Sequence, residues 1–228
     1  MDDGSDEGQG LNKTKEVGKR QVLVGGKDEG RRHVVYASTF EVYGEPQQTP
    51  IAETHRTYPL TDYGATKLSG EHHLAAFAYE EKRTGVSLRM PAVYGPGEVT
   101  KRALPNFLSQ CAAGVRPTVF GDGLDQRDQL HVRDAARAVE CALGVEFAPQ
   151  FAIACNVSDG AAHTIEALAR EAMRAASMDG EPERKARQKP RRDYHMSIAR
   201  AQTLLGFEPS VSLAEGMAEQ LAWLTAKK

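Results

Sequence analysis

Cysteine is scarce in this chain: Cys111, Cys141 and Cys155 are all there is in 228 residues. They are odd in number and far apart, and no Cys-x-x-Cys pair occurs. Reduced, buried thiols in a cytoplasmic protein are the expectation. An excess of one charge is also missing. The 29 basic and 31 acidic residues leave a net charge of −2, which gives no support for a nucleic-acid or anionic-membrane partner. No apolar run approaches the ~18 residues of a membrane helix. The opening stretch, Met1 to Gly10, is acidic and glycine-rich, so residues 1–11 read as a disordered tail and not as a signal peptide. No Cys, His or carboxylate cluster has metal-ligand spacing, and His72 and His73 read as surface residues. A Gly-x-Gly-x-x-Gly phosphate loop is lacking too. Gly25-Gly26-x-x-x-Gly30 has the wrong spacing, with no partner strand before it.

Against these absences stands Thr61-Asp62-Tyr63-Gly64-Ala65-Thr66-Lys67, with Tyr36-Ala37-Ser38-Thr39-Phe40-Glu41-Val42-Tyr43-Gly44 upstream. Four residues make about one helical turn, so Tyr63 and Lys67 share a helix face. A phenol ordinarily titrates near pH ~10, too high for a base at neutral pH. A neighbouring cation favours the phenolate. A hydroxyl such as Thr39 can then hold a substrate oxygen in line for proton transfer.

The chain reads as strands alternating with helices, which implies a parallel sheet. His33 to Ser38 is a buried strand. Pro46, Pro50 and Pro59 mark 44–59 as a loop. Thr61 or Asp62 caps a helix running to about Arg83. Val86 to Ala92 and Ala152 to Val157 are strands. Further helices are expected at Leu104 to Ala113, Asp134 to Leu143, Thr164 to Ala176, Ser197 to Leu205 and Leu213 to Thr225. Glu181 to Arg192 is a basic, proline-punctuated loop. Val22-Leu23-Val24 taken alone suits a strand, but a helix ending at Gly30 fits residues 16–30 better. Gly25 and Gly26 would weaken that helix by roughly 1 kcal/mol each.

Together these segments resemble the NAD-dependent epimerase/dehydratase family, the extended short-chain dehydrogenase/reductases acting on nucleotide sugars. The likeness runs from about Val17 to Trp223. It is carried by Ser38-Thr39-Phe40-Glu41-Val42-Tyr43-Gly44, Tyr63-x-x-x-Lys67, Leu88-Arg89 with Val93-Tyr94-Gly95-Pro96, Gly121-Asp122-Gly123 with Arg127-Asp128 and Val132-x-Asp134, Asn156-Val157, and Leu205-Gly206-Phe207-x-Pro209. A single Tyr-x-x-x-Lys is common by chance; the ordered set is not. The resemblance implies an α/β fold, the C-terminal part of a doubly wound, Rossmann-like sheet with a small substrate lobe. The nucleotide-binding core would fall mainly on 12–96 and 128–160, and the lobe on 97–127 and 161–228. The family's first strands and glycine-rich turn have no counterpart, so the chain reads as a truncated member.

By resemblance Tyr63 is the base, Lys67 assists it and binds the nicotinamide ribose, and Thr39 hydrogen-bonds the reacting hydroxyl. Ser38 and Pro91 join Tyr63 and Lys67 as cofactor contacts, the cofactor being NAD. Glu41 sits where dehydratase-like members carry an acid, though Phe40 replaces the Asp they pair with it; a satisfied polar residue at the strand end is the other reading of Glu41. Ala92 stands where the family frequently has an Asn touching the nucleotide sugar. Arg127 matches an arginine that reaches the diphosphate, and a salt bridge to Asp125 or Asp128 is its plainer reading. Arg192, with Arg191, falls near a second such arginine, or belongs to a solvated basic loop. His131 is assigned no chemistry.

The function implied is a nucleotide-sugar epimerase or dehydratase working by transient oxidation, in the manner of a UDP-sugar 4-epimerase. The alternatives are a catalytically silent homologue acting as an interaction module, and an NAD(P)-dependent reductase of small carbonyls. A homodimer through the helices around 16–30 and 62–84 is expected. So is an exposed sheet edge at Val34-Val35-Tyr36-Ala37, a template for association. A glycine-rich turn presents backbone N–H groups to the pyrophosphate. Without one, the 228-residue chain is expected to bind NAD with a Kd of about 1 mM or weaker, ~4 kcal/mol at most. Calorimetric titration checks this, and micromolar binding would show that another segment supplies the grip.

Overall fold

A computed structural model describes residues 23–25, 33–145, 147–148, 150–187 and 190–226; the acidic stretch 1–11 lies outside them. The strands are β1 (Leu23–Gly25), β2 (His33–Thr39), β3 (Thr84–Met90), β4 (Ala92–Tyr94), β5 (Thr118–Phe120), β6 (Gln126–Arg127), β7 (Gln129–His131), β8 (Phe151–Asn156), β9 (His163–Thr164) and β10 (Glu183–Lys185). The helices are α1 (Asp62–Glu80), α2 (Ala103–Ala112), α3 (Val132–Gly144), α4 (Ile165–Ala175), α5 (Ala199–Leu205) and α6 (Leu213–Ala226).

The main sheet has the order β1-β2-β3-β8. β2, β3 and β8 are parallel, with His33 opposite Thr84 and Thr84 opposite Phe151. Period-two alternation separates its faces. Val35, Val86, Leu88 and Cys155 turn to one side and form a core with Ala138 and Ala142 of α3 and with Ala201, Leu205 and Phe207. Gly85, Ser87 and Arg89 of β3 turn to the other side, under α1. Small residues let that helix come close. A Cβ at Gly70 would collide with the Tyr36 hydroxyl, and one at Gly85 with Leu74.

A second core lies away from the sheet. Leu104, Phe107 and Leu108 of α2 pack with Leu168, Ala169 and Ala172 of α4, Val119 of β5 and Met217 of α6. The pairs β4–β7 and β5–β10 are parallel, and β6–β9 is antiparallel. Asp134 stitches the start of α3 to the C-terminal segment. Its carboxylate, 1% exposed, accepts from the Ser210 and Val211 N–H groups and from Arg137. Burial would raise its pKa, but these donors bring it below the usual value.

Two local expectations are corrected. Leu23–Gly25 is a strand, paired antiparallel to β2 with Leu23 opposite Tyr36 and Gly25 opposite Val34, where a helix over 16–30 was expected. The rest of that helix lies outside the described residues. Apolar residues carry β propensity, and a sheet edge offers backbone partners where two glycines would weaken a helix. The edge expected to lie open at 34–37 is therefore covered along Val34–Tyr36. The basic loop 181–192 contains β10, paired with β5 through Arg184 opposite Val119.

Candidate active site

The site begins where β2 meets the start of α1. Thr39 ends β2, is 5% exposed, and caps a 3-10 turn, Phe40–Tyr43, by accepting from the Glu41 N–H at 3.4 Å. Thr61 caps α1: its Oγ1 accepts from the Gly64 N–H at 3.0 Å and donates to Glu41 Oε2 at 2.8 Å. Such a cap stabilises a helix by about 1 kcal/mol. A Cβ at Gly64 would lie 2.7 Å from the Glu41 carbonyl oxygen, so glycine lets the helix start against the turn. Tyr63, next to it, is 44% exposed.

Lys67, one turn on, is 7% exposed. Its Nζ donates to the Ala37 carbonyl at 2.9 Å. It lies 5.2 Å from the Tyr36 ring centroid and 5.8 Å from that of Tyr63. Burial lowers its pKa, while the carbonyl and the two ring faces favour the cation. Burial, with the charges of Glu71 and Tyr63, pushes the Tyr36 phenol up to about 12, so Tyr36 stays protonated. Thr39, Glu41, Tyr63 and Lys67 are thus brought to one corner. Ser38 turns away into the fold. It is 5% exposed and its hydroxyl donates to Glu71.

Beside this corner is a cavity of about 280 Å³, bordered by Phe40, Glu41, Pro91, Ala92, Arg127 and Tyr194 among others. A larger cleft of about 1190 Å³ adjoins it between α2, β5 and β10, and shares Arg127 and Tyr194. Four cations border the cleft, Arg127, Lys185, Arg187 and Arg192, against one carboxylate, Asp125. Arginines in that number suit a phosphate-bearing ligand. Arg127 stacks 5.4 Å over the Tyr194 ring, donates to the carbonyls of Gln126 and Arg192, and lies 3.8 Å from Asp125. Arg187 pairs with Asp122 and with Asp125, the latter at 2.8 Å. Arg192 lies 4.0 Å from Glu45, and Arg191 pairs with Asp193. His131 caps α3, its Nδ1 accepting from the Arg133 N–H at 3.4 Å. His72 and His73 are exposed. Among the described residues no group of three or more His, Cys, Asp or Glu is arranged to hold a metal.

Sequence reasoning passed over Tyr194 and Arg187. Tyr194 forms a wall of both cavities and meets Phe40 edge-on at 5.1 Å. Its segment is pinned by buried Asp128, which accepts from His195 Nδ1 at 2.8 Å and from the Met196 N–H at 2.7 Å. An aromatic ring just after the basic residues of 184–192 was the available clue.

A model of the NAD-dependent epimerase/dehydratase family matches residues 5–153. The dTDP-glucose 4,6-dehydratase of Streptomyces griseus is 31% identical over 211 residues, covering 90% of this chain and 62% of that protein. The UDP-glucose 4-epimerase of Mycolicibacterium smegmatis is 31% identical over 222 residues, covering 92% and 68%. Among solved structures, the UDP-glucose 4-epimerase of Thermotoga maritima with UDP-glucose matches at a TM-score of 0.76 and 28% identity, over 87% of this chain and 65% of that one. The chain spans 62% of the length of the dTDP-glucose 4,6-dehydratases it matches.

Two histidines beside the cavities tie stability to pH. The Asp128 hydrogen bond raises the His195 pKa above its ordinary value. For His163, burial acts downward, but the Asp159 hydrogen bond at 2.5 Å carries the net shift upward. Groups with raised pKa values add stability that is complete below the unfolded value and is lost as pH rises through the folded one. His131 is shifted the other way, by burial, and acts below pH ~6.5. Stability is therefore expected to fall as pH rises above about 6.5. Denaturant titrations across that window check it, with His195→Gln expected to flatten the fall. A rise in stability over the window would contradict the assignment.

Proposed function

This chain belongs to the NAD-dependent epimerase/dehydratase family, and from that premise we propose that it serves a nucleotide-sugar epimerisation, the transient oxidation of a hydroxyl on a UDP-sugar. The observation that carries the reading is the pairing of an exposed phenol, Tyr63, with a buried ammonium, Lys67, beside a cavity that opens onto an arginine-rich cleft.

The cofactor end fits in part. Lys67 and Tyr63 lie near the C-terminal end of β2, where parallel sheets hold their ligands, and would hold the nicotinamide ribose. NAD, when bound, supplies the acceptor for the hydrogen leaving the sugar carbon. The chain's own residues handle the proton. Thr39 orients the hydroxyl, and Tyr63 Oη takes its proton as that carbon becomes a ketone. Lys67 places its cation 5.8 Å from the Tyr63 ring centroid. When the ketone is reduced from its other face, Tyr63 returns the proton and the centre is inverted. Arg127, Arg187 and Arg192 supply donors for the diphosphate. Glu41 is the one carboxylate of the 39–43 turn, and its neighbour Phe40 forms an apolar wall against Tyr194. Dehydration, by resemblance, uses a pair of acids there, so a single acid supports epimerisation.

A second reading, a catalytically silent chain acting through its helices, draws on β1. It runs antiparallel along the β2 edge, which leaves that edge without the parallel neighbour of a doubly wound nucleotide-binding sheet. Turnover separates the two readings. With UDP-glucose and NAD, Tyr63→Phe is expected to lower kcat by about 10²–10⁴-fold with an unchanged melt, and Lys67→Ala nearly as much. Turnover of Tyr63→Phe at the wild-type rate would remove Tyr63 as the base. A wild-type chain without turnover on UDP- or dTDP-sugars would favour the silent reading.

A further inference from the structure

Arg127 keeps part of its guanidinium unused. Its Nη1 donates to the Gln126 carbonyl at 2.7 Å and to the Arg192 carbonyl. Its Nη2 lies 3.8 Å from Asp125 Oδ1, beyond hydrogen-bond reach. Asp125 is engaged elsewhere, by Arg187 at 2.8 Å and by the Arg192 N–H at 3.0 Å. Nε and Nη2 thus donate to no described residue, yet neither is sealed off, since the side chain is 31% exposed. Those two atoms form the guanidinium edge that meets two oxygens at once. They lie where the cavity joins the cleft, because Arg127 borders both.

The Tyr194 ring fixes the plane of that fork. The Tyr194 N–H donates to the Gln126 carbonyl at 3.0 Å, and the Asp128 N–H donates to the Tyr194 carbonyl at 3.1 Å. This is a parallel bridge that pairs Tyr194 with Arg127, so the two side chains leave the backbone on the same side. The Arg127 guanidinium carbon lies 5.4 Å from the ring centroid, and a cation over an aromatic face is attracted by the ring. Phe40 meets the ring edge-on at 5.1 Å and holds it in turn. No hydrogen bond engages the Tyr194 hydroxyl among the described residues, so the ring is the part built into this contact. An arginine already held in its binding geometry loses less freedom when a ligand arrives.

We propose that Tyr194 is a positioning residue, its ring holding the Arg127 guanidinium so that Nε and Nη2 together meet a phosphate of the nucleotide-sugar diphosphate. This inference rests on the nucleotide-sugar reading above. Calorimetric titration of the 228-residue chain with UDP tests it. Tyr194→Leu is expected to weaken UDP about tenfold, and Tyr194→Phe, which keeps the ring, by less than about twofold. Tyr194→Met carries the expectation of the leucine variant should that one fail to melt cooperatively. Arg127→Gln is expected to weaken UDP at least as much, and Tyr194→Leu added to it to lose nothing further, because the ring acts through the guanidinium. Unchanged UDP affinity in the leucine or methionine variant overturns the proposal. So does a phenylalanine variant as weak as the leucine one, which would make the hydroxyl the contact. So does a double variant whose loss is the product of the two single losses. If wild type does not bind UDP, the nucleotide-sugar reading fails and this inference falls with it.

Discussion

The ion pair between Glu71 and Arg89 is the contact on which the rest of the site depends. Arg89 Nη2 lies 2.6 Å from Glu71 Oε2, and both side chains are under one-tenth exposed. Glu71 stands one turn after Lys67 on α1, and Arg89 stands near the end of β3. The pair therefore clamps the helix that carries Tyr63 and Lys67 onto the sheet. Two charges out of water are costly unless their remaining hydrogen-bonding capacity is met. Here it is. Arg89 Nε donates to Glu71 Oε1 at 3.0 Å and Nη1 to the Tyr43 hydroxyl at 2.9 Å, while Ser38 donates to Glu71. Burial would lower the Arg89 pKa, but Glu71 and Tyr43 carry the net shift upward.

The same network runs on toward the two cavities. The Tyr43 hydroxyl donates to Asn156 Oδ1 at 2.6 Å, and Asn156 Nδ2 donates to the carbonyls of Ile51 and Ser197. Ile51 and Met196 are bridged, and pack with Val42 and Tyr43 under the turn that holds Glu41. Met196 is tied in turn to Asp128, beside Arg127. A chain of buried contacts thus links the corner of Tyr63 and Lys67 to the segment bearing Tyr194. Such networks rigidify a site when every member is satisfied, and orientation to within a fraction of an ångström is what proton transfer demands.

Much of this was legible in the sequence because it is local. Tyr63 and Lys67 fall four apart on a helix whose cap, Thr61, can be read from residue type alone. His33 to Ser38 and Ala152 to Val157 announce themselves as apolar runs, and both are strands. What was not legible is non-local. Residues 23–25 were assigned to a helix because nothing nearby shows that β2 has an edge to cover. Glu183–Lys185 became a strand through Thr118–Phe120, a pairing that no window of sequence contains. Arg127 was readable as a phosphate ligand or as a partner of Asp125. The structure gives it the Asp125 contact and also a place on both cavity walls.

The central claim is that the buried Glu71–Arg89 pair, by fixing α1 on the sheet, holds the site together. A double-mutant cycle on unfolding free energy tests it most directly, using Glu71→Gln, Arg89→Met and the two combined. Each single change is predicted to destabilise by about 3–5 kcal/mol, because it strands a buried charge. The double variant is predicted to lose much less than the sum, by a coupling of more than ~1 kcal/mol. Single losses within a few tenths of a kcal/mol of zero, or losses that simply add, would show that α1 is held by its apolar contacts and that the pair is incidental.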